Sequence, residues 1–230
     1  MKVRIKFSKQ GVMKFIGHLD VMRFFQKAIR RANIPIAFTE GFSPHMVMSF
    51  ASALGLGLTS NGEYMDIEVL ESIPSKEAVG RLNQVMVEGM EVLSYRQIPD
   101  GKANNGMALV DAADYTVTFR DGYAPKPGWE TRLQEFYRQP SISIQKITKK
   151  GERQLDIRPY IHSLDAADGK VRMRVCAGSR DNLKPELVME AFVTYLGEEY
   201  QAYALQINRE ELYAKNGCSL EELGEDILGA

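Results

Sequence analysis

Apolar and polar residues alternate at the start of the chain, where Val3, Ile5 and Phe7 are separated by Arg4 and Lys6. That period of two is the signature of a strand with one buried face. The pattern changes at Val21: Val21, Phe24, Phe25, Ala28, Ile29 and Ala32 follow i, i+3, i+4, i+7, i+8 and i+11, which is one face of a helix. Asp20 stands where an N-cap is expected, and Pro35 ends the helix shortly after Asn33. Residues 46–50 and 64–70 read as strands joined by the small-residue stretch 51–62. Ser75 is placed to cap a second helix reaching residue 88, with a fourth strand at 92–98. The order β-α-β-β-α-β is that of the split βαβ, or ferredoxin-like, unit.

Residues 99–105 are polar and rich in Gly and Asn, a linker composition. Beyond them the order repeats. Residues 115–119 alternate as a strand and 128–138 suit a short helix. Residues 142–146 and 153–157 form a hairpin around Lys149-Lys150-Gly151, and 170–176 is a further strand. Pro185 starts a helix over 184–196, and 201–209 is the last strand. The expectation is therefore an α+β fold of two tandem ferredoxin-like units with antiparallel sheets, the second with one extra strand. The N-terminal unit spans 1–98, a linker 99–110 and the C-terminal unit 111–215. An acidic tail, a short helix or a frayed end, occupies 216–230.

Overall charge adds little, at −1 over 230 residues, but its distribution does. Residues 1–62 carry nine Lys and Arg against Asp20 and Glu40, whereas 63–110 carry four against eight acids and 216–230 carry four acids and no base. Such an asymmetry suggests an anionic partner for the N-terminal part. Helix 20–33 holds the densest share. Arg23, Lys27 and Arg30 lie at i, i+4 and i+7 with Arg31 beside Lys27, on the side away from the apolar face. Four bases with no acid after Asp20 read as a phosphate-binding face for RNA, or as a solvated helix face.

Two of the three histidines fall in loops of this region, where rigid elements commonly hold functional groups. His18 precedes Asp20 by two. The pair is either a helix-capping arrangement or a histidine oriented by a carboxylate for acid–base work. His45 follows Gly41-Phe42-Ser43-Pro44, in which Pro44 stiffens the turn and Gly41 permits a left-handed conformation. Glu63, Tyr64 and Asp66 on the next strand complete a candidate pocket with residues 41–44, and the two acids are placed to face the basic groups. Alternation puts Tyr64 and Asp66 on one face of that strand. Nothing in the spacing of His18, Asp20, His45 and Asp66 demands a metal, and no cofactor is expected. His162 reads as structural. The patterns GxSxG, GxGxxG and the P-loop are absent, and Gly55-Leu56-Gly57 reads as close packing or a surface loop. Cys176 and Cys218 form no CxxC or CxxxCxxC. The start lacks a signal-peptide core and no segment is long enough to span a membrane, so a cytoplasmic protein is expected.

Residues 13–20 (MKFIGHLD), Arg23, Ala28, Arg30-Arg31-Ala32 and Pro35 continue into Gly41-Phe42-Ser43-Pro44-His45, Ser49-Phe50-Ala51, Leu54-Gly55, Ser60, Glu63-Tyr64 and Asp66. This run resembles the radical S-adenosylmethionine-linked protein family, whose domain occurs alone or fused behind a radical enzyme. The stand-alone genes often neighbour those of ribonuclease G and ribosomal proteins. Where the family has Pro-His-Pro, this chain has Pro44-His45-Met46. The resemblance implies a partner of a radical S-adenosylmethionine enzyme, with RNA or a ribosome-related complex as a further partner. The leading expectation is a non-catalytic accessory protein. An RNA-processing or RNA-modifying enzyme using His18 or His45 is the alternative, an analogy of fold with the CRISPR repeat-processing endonucleases. A pure protein-interaction module is the third.

Overall fold

The alternation at the start becomes β1 (Lys2–Lys9), and the amphipathic run becomes α1 (His18–Arg31). They are followed by β2 (Met48–Phe50), β3 (Thr59–Glu68), α2 (Ser75–Asn83) and β4 (Met90–Ile98). The computed structural model describes residues 1–148, 151–201 and 203–229. It divides into two units, residues 1–111 with 209–230 and residues 112–208. In the first unit β1 lies between β3 and β4, antiparallel to both, and β2 pairs with β3. The resulting order β4-β1-β3-β2 is the ferredoxin-like one. Val3, Ile5 and Phe7 of β1 and Met65 and Ile67 of β3 form the apolar core with Val21, Phe25 and Ile29 of α1 and Leu82 of α2. Phe25 meets Phe7 and Phe50 edge to face, with centroids 4.6 and 6.2 Å away. Each such pair adds about 0.5–1.5 kcal/mol beyond burial.

Helix ends differ from the sequence reading for local reasons. Gly17, not Asp20, is the N-cap of α1, because the Gly17 carbonyl already accepts the amides of Asp20 and Val21. Asp20 sits in the first turn, where a carboxylate favours the helix dipole. At the other end Asn33 adopts φ +52°. The Ile34 amide bonds the Ile29 carbonyl and the Asn33 amide that of Arg30. This is a Schellman closure, so Pro35 follows a helix that has already stopped. α2 ends at Asn83 instead of 88, since the Asn83 side chain exchanges two 2.8 Å hydrogen bonds with the Val92 backbone. Ser75 is not its cap either. Pro74 is, and the Ser75 hydroxyl donates to the Tyr95 carbonyl.

Residues expected to be a linker pack onto this unit. The short helix α3 (Gly106–Leu109) begins where the Gly106 amide donates to Asp66 at 2.6 Å, and the Ser49 hydroxyl donates to Asn105 at 3.1 Å.

The second unit contains β5 (Val110–Phe119), α4 (Trp129–Tyr137), β6 (Ser143–Thr148), β7 (Gly151–Asp156), β8 (Ile161–Ala167), β9 (Lys170–Cys176), α5 (Pro185–Tyr195) and the start of β10 (Leu205–Ala214). Its sheet runs β10-β5-β9-β8, again the ferredoxin-like order. The expected hairpin forms, but β6 and β7 make a separate two-stranded sheet. Its turn residues Lys149 and Lys150 lie outside the described residues. The main sheet instead recruits β8, which sequence reading missed. A bulge between Ile161 and Ser163 sets the buried residues Ile161 and Leu164 three apart, so the period of two is broken. Phe192 of α5 touches Trp129 and Phe136 of α4, with centroids 6.3 and 5.5 Å apart.

The chain returns to the first unit at Arg209. The boundary expected at 215 and the frayed tail are both corrected. Leu220 is fully buried, and β11 (Glu225–Asp226) pairs antiparallel with β4. The Ile227 amide also bonds the Ser75 hydroxyl at 2.8 Å. No helix among the described residues is long and apolar enough to cross a membrane.

Candidate functional site

Strand alternation sends Arg4 and Lys6 to the face of the sheet opposite α1, and the acids reach them there. Arg4 donates through Nε and Nη2 to Asp66 at 2.8 and 2.9 Å, and through Nη1 and Nη2 to the carbonyls of Leu220 and Asn104 at 3.2 and 2.9 Å. Lys6 reaches Glu211 at 2.7 Å and Glu221 at 2.8 Å, and the Tyr64 hydroxyl donates to Glu211 at 2.5 Å. Burial, then the Glu211 carboxylate, pushes the Tyr64 hydroxyl far above its usual range. Burial alone would lower Lys6, but its bonds to Glu211 and Glu221 outweigh burial and raise it. Tyr64 and Asp66 thus belong to an internal polar layer, and two of the nine N-terminal bases are neutralised inside it.

Glu63 has the opposite parity. It pairs in register with Phe7 and faces inward, where Arg209 donates to both its oxygens at 2.8 and 2.5 Å. Glu63 and Asp66 therefore answer Arg209 and Arg4, not the bases of α1. Beside Glu63 lies a small cavity of about 10 Å³, room for about one water. Lys9, His18, Ser52 and Glu63 line it, with Phe7, Val21, Phe50 and Leu54 as its apolar wall. The His18 ring lies edge-on to Phe50, 5.0 Å between centroids. Lys9 is 2% exposed and donates to the Ile16 carbonyl at 3.0 Å. Burial lowers its pKa, with Glu63 opposing and Arg209 adding to the effect.

The other candidates stand elsewhere. Asp20 is exposed and pairs with Arg23 at 3.2 Å, not with His18. Residues 37–47 fold back on themselves through bonds between Thr39 and His45 and between Val47 and Ala37. Gly41, at φ +107°, Phe42, Ser43 and Pro44 form the exposed tip. His45 is exposed at the base of this turn, its Nδ1 3.0 Å from the Thr39 hydroxyl, and it does not line the His18 cavity. The pocket expected from His18, Asp20, His45, residues 41–44, Glu63, Tyr64 and Asp66 is thus resolved into four places: the small cavity, the internal polar layer, the exposed turn, and the surface of α1 where Asp20 pairs with Arg23. Sheet alternation separates Glu63 from Tyr64 and Asp66, and the turn carries His45 outward.

Arg23, Lys27, Arg30 and Arg31 are all exposed on α1. Among the described residues only Arg23 of these four has an acidic partner. Phe15, Leu19 and Leu56 are exposed near the start of the helix. The Gly57 amide bonds the Lys14 carbonyl at 2.8 Å, and the Lys14 ammonium lies 5.2 Å over the Phe15 ring.

Lys9 and Arg209 were not singled out from sequence. Lys9 was within reach, because it carries the inward parity of Val3, Ile5 and Phe7. Arg209 had no signal, as its partner is 146 residues away. A contact between Cys176 Sγ and His162 Nε2 at 3.3 Å also escaped sequence reading, since it depends on the pairing of β8 with β9. Among the described residues no group of three or more His, Cys, Asp or Glu side chains is placed to hold a metal ion.

The chain belongs to a family described as "Uncharacterized protein conserved in bacteria (DUF2344)", whose profile matches residues 2–185. No curated protein matches the sequence at a significant level. Among solved structures, a chain from "Crystal Structure of a Cbf5-Nop10-Gar1 Complex" is similar with a TM-score of 0.47 and 12% identity. The match covers 93% of this chain and 50% of that one, so the present chain spans half the length of the chain it matches.

Proposed function

We propose that this chain is a cytoplasmic, non-catalytic accessory protein that binds RNA or a ribonucleoprotein through the outer face of α1, and that it works beside a radical S-adenosylmethionine enzyme. The observation that carries the first part is the division of the N-terminal bases. Arg4 and Lys6 are satisfied internally by Asp66, Glu211 and Glu221, whereas Lys27, Arg30 and Arg31 project to solvent with no acidic partner among the described residues. A helix face so charged suits phosphates, and the exposed rings of Phe15 and Phe42 suit stacking on unpaired bases. Arg30 and Arg31 also complement the helix dipole, which explains two of the four charges and leaves Arg23 and Lys27. The second part rests on the resemblance of residues 13–66 to radical enzyme-linked proteins, together with a cysteine content that holds no cluster motif.

An RNA-processing enzyme has less behind it. His45 is exposed and engaged by Thr39, and His18 lines a different cavity. The test is affinity purification from native cells, with and without nuclease, followed by salt titration of any RNA recovered. Removing one cation that neutralises a phosphate should flatten the log–log salt slope by about 0.7 for single-stranded RNA. Alanine at Arg23, Lys27 and Arg30 should therefore flatten it by about 2. Salt-insensitive binding, or none, refutes the RNA half. Failure to recover a radical enzyme under either condition refutes the other half. Recovery of some other protein, indifferent to nuclease, would instead mark a protein-interaction module.

A further inference from the structure

Two segments cover the face of the first sheet opposite α1, and they do not close on one another. Residues 104–106 are held there by Arg4 and Asp66, and residues 220–221 by Arg4 and Lys6. Between residues 98–109 and 214–223 lies a cavity of about 350 Å³, within the range of about 300–1,000 Å³ that small-molecule sites occupy. All its lining residues belong to the first unit. Ile98, Pro99, Leu109 and Leu223 supply apolar walls. Arg4, 2% exposed, forms the inner end, and the exposed Lys215 stands at the mouth. No carboxylate lines the cavity. Asp66 neutralises Arg4, but Lys215 has no acidic partner among the described residues, so one positive charge is left over. A donor is left over as well. Asp66 takes the Nε–H of Arg4 and one N–H of Nη2, the Asn104 carbonyl takes the other, and the Leu220 carbonyl takes one N–H of Nη1. The second N–H of Nη1 has no partner among the described residues, and a buried donor without an acceptor is costly.

We infer that this cavity binds a small organic carboxylate with an apolar body. The carboxylate accepts the spare N–H of Arg4, Lys215 balances its charge on a flexible stem, and the body packs against Ile98, Leu109 and Leu223. One spare charge and one spare buried donor suit a monoanion. A phosphate monoester carries close to two charges at neutral pH, more than this lining balances, and the excess positive charge disfavours an amine. The inference goes beyond the RNA-binding reading, because the cavity lies across the sheet from α1 and uses none of its bases.

The experiment titrates benzoate, hexanoate, their neutral amides and benzylamine into the full chain at constant ionic strength, following the backbone amide NMR signals of Leu109, Lys215 and Leu223. Both carboxylates should give saturable shifts with a Kd of about 1 mM or tighter. The amides, which lack the charge, should bind about tenfold more weakly, and benzylamine should not bind. Two variants at exposed positions of the lining locate the site without touching the buried Arg4–Asp66 pair. Lys215→Met should reduce benzoate binding to the level of benzamide, and Ala108→Leu should fill the space and abolish binding of both. The absence of a saturable shift with either carboxylate overturns the inference. So does benzamide or benzylamine binding as tightly as benzoate, or either variant, folded, binding benzoate as well as the parent does.

Discussion

Replacing Asp66 by alanine separates a structural acid from a site residue. Its carboxylate accepts Arg4 Nε and Nη2 at 2.8 and 2.9 Å and the Gly106 amide at 2.6 Å. The two side chains are 2% and 8% exposed, so little water is at hand to replace the missing partner. Arg4 would keep the Leu220 and Asn104 carbonyls but lose its neutralising charge. Breaking a buried pair in this way costs about 3–5 kcal/mol, and the orphaned Gly106 amide adds to it unless solvent enters. We expect a loss of about 4 kcal/mol for the first unit, a large part of the ~5–15 kcal/mol that holds a domain together. The paired change Arg4→Met with Asp66→Leu should cost far less than the two single losses combined, since no charge is stranded. The single tryptophan, Trp129, belongs to the second unit, so its fluorescence would report the wrong half. Urea unfolding should be followed by far-UV circular dichroism together with hydrogen exchange of β1 and β3 amides. An Asp66→Ala protein within about 1 kcal/mol of the parent, or one that keeps full stability while losing RNA binding, would refute the assignment of Asp66 to the internal layer.

Three shorter predictions bear on the same unit. Removing residues 217–230 strips Leu220, Glu221 and β11 from the sheet, so the first unit should melt several degrees lower, by about 4–8 °C for each kcal/mol lost; an unchanged melt would restore the picture of a frayed tail. Burial alone would raise the Glu221 carboxyl, but hydrogen bonds from Lys6 and Ser94 and the charges of Lys6 and Arg96 outweigh it and hold the group low. A carboxyl lowered in the folded state contributes fully above its ordinary pKa of about 4.3 and loses that contribution as pH falls through the folded value. Glu221→Gln should therefore lower stability at neutral pH and converge with the parent in acid, and parallel stability–pH curves would contradict this. Finally, a methyl group on Gly62 would stand 2.8 Å from the Glu210 carbonyl, so Gly62→Ala should cost about 1–3 kcal/mol in denaturant titrations. A neutral result would mean that the two backbones are not in close approach.

Much of the fold was legible because helices and strands announce themselves by local period. β9 emerged with its observed limits, and Pro185 marked the first residue of α5. β8 did not emerge, because its bulge destroys the alternation that strand recognition relies on. The candidate site was legible only in part. The basic stripe of α1 follows from helical spacing alone and is exposed as expected. Its supposed pocket was not legible, because residues adjacent in sequence on β3 face opposite sides of the sheet, and residues 41–44 close on His45 rather than on His18.

By itself, then, the sequence determined the periodic features of this protein: the buried face of β1, the apolar and basic faces of α1, and the ferredoxin-like order of the first unit. These depend on side-chain geometry within a few residues. The destination of the charges was decided only by tertiary structure. Arg4 meets Asp66 across 62 residues, Glu63 meets Arg209 across 146, and Lys6 meets Glu221 across 215. Such pairs form where strand order and the return of the chain bring them together, and that proximity has no local periodicity from which it could be read.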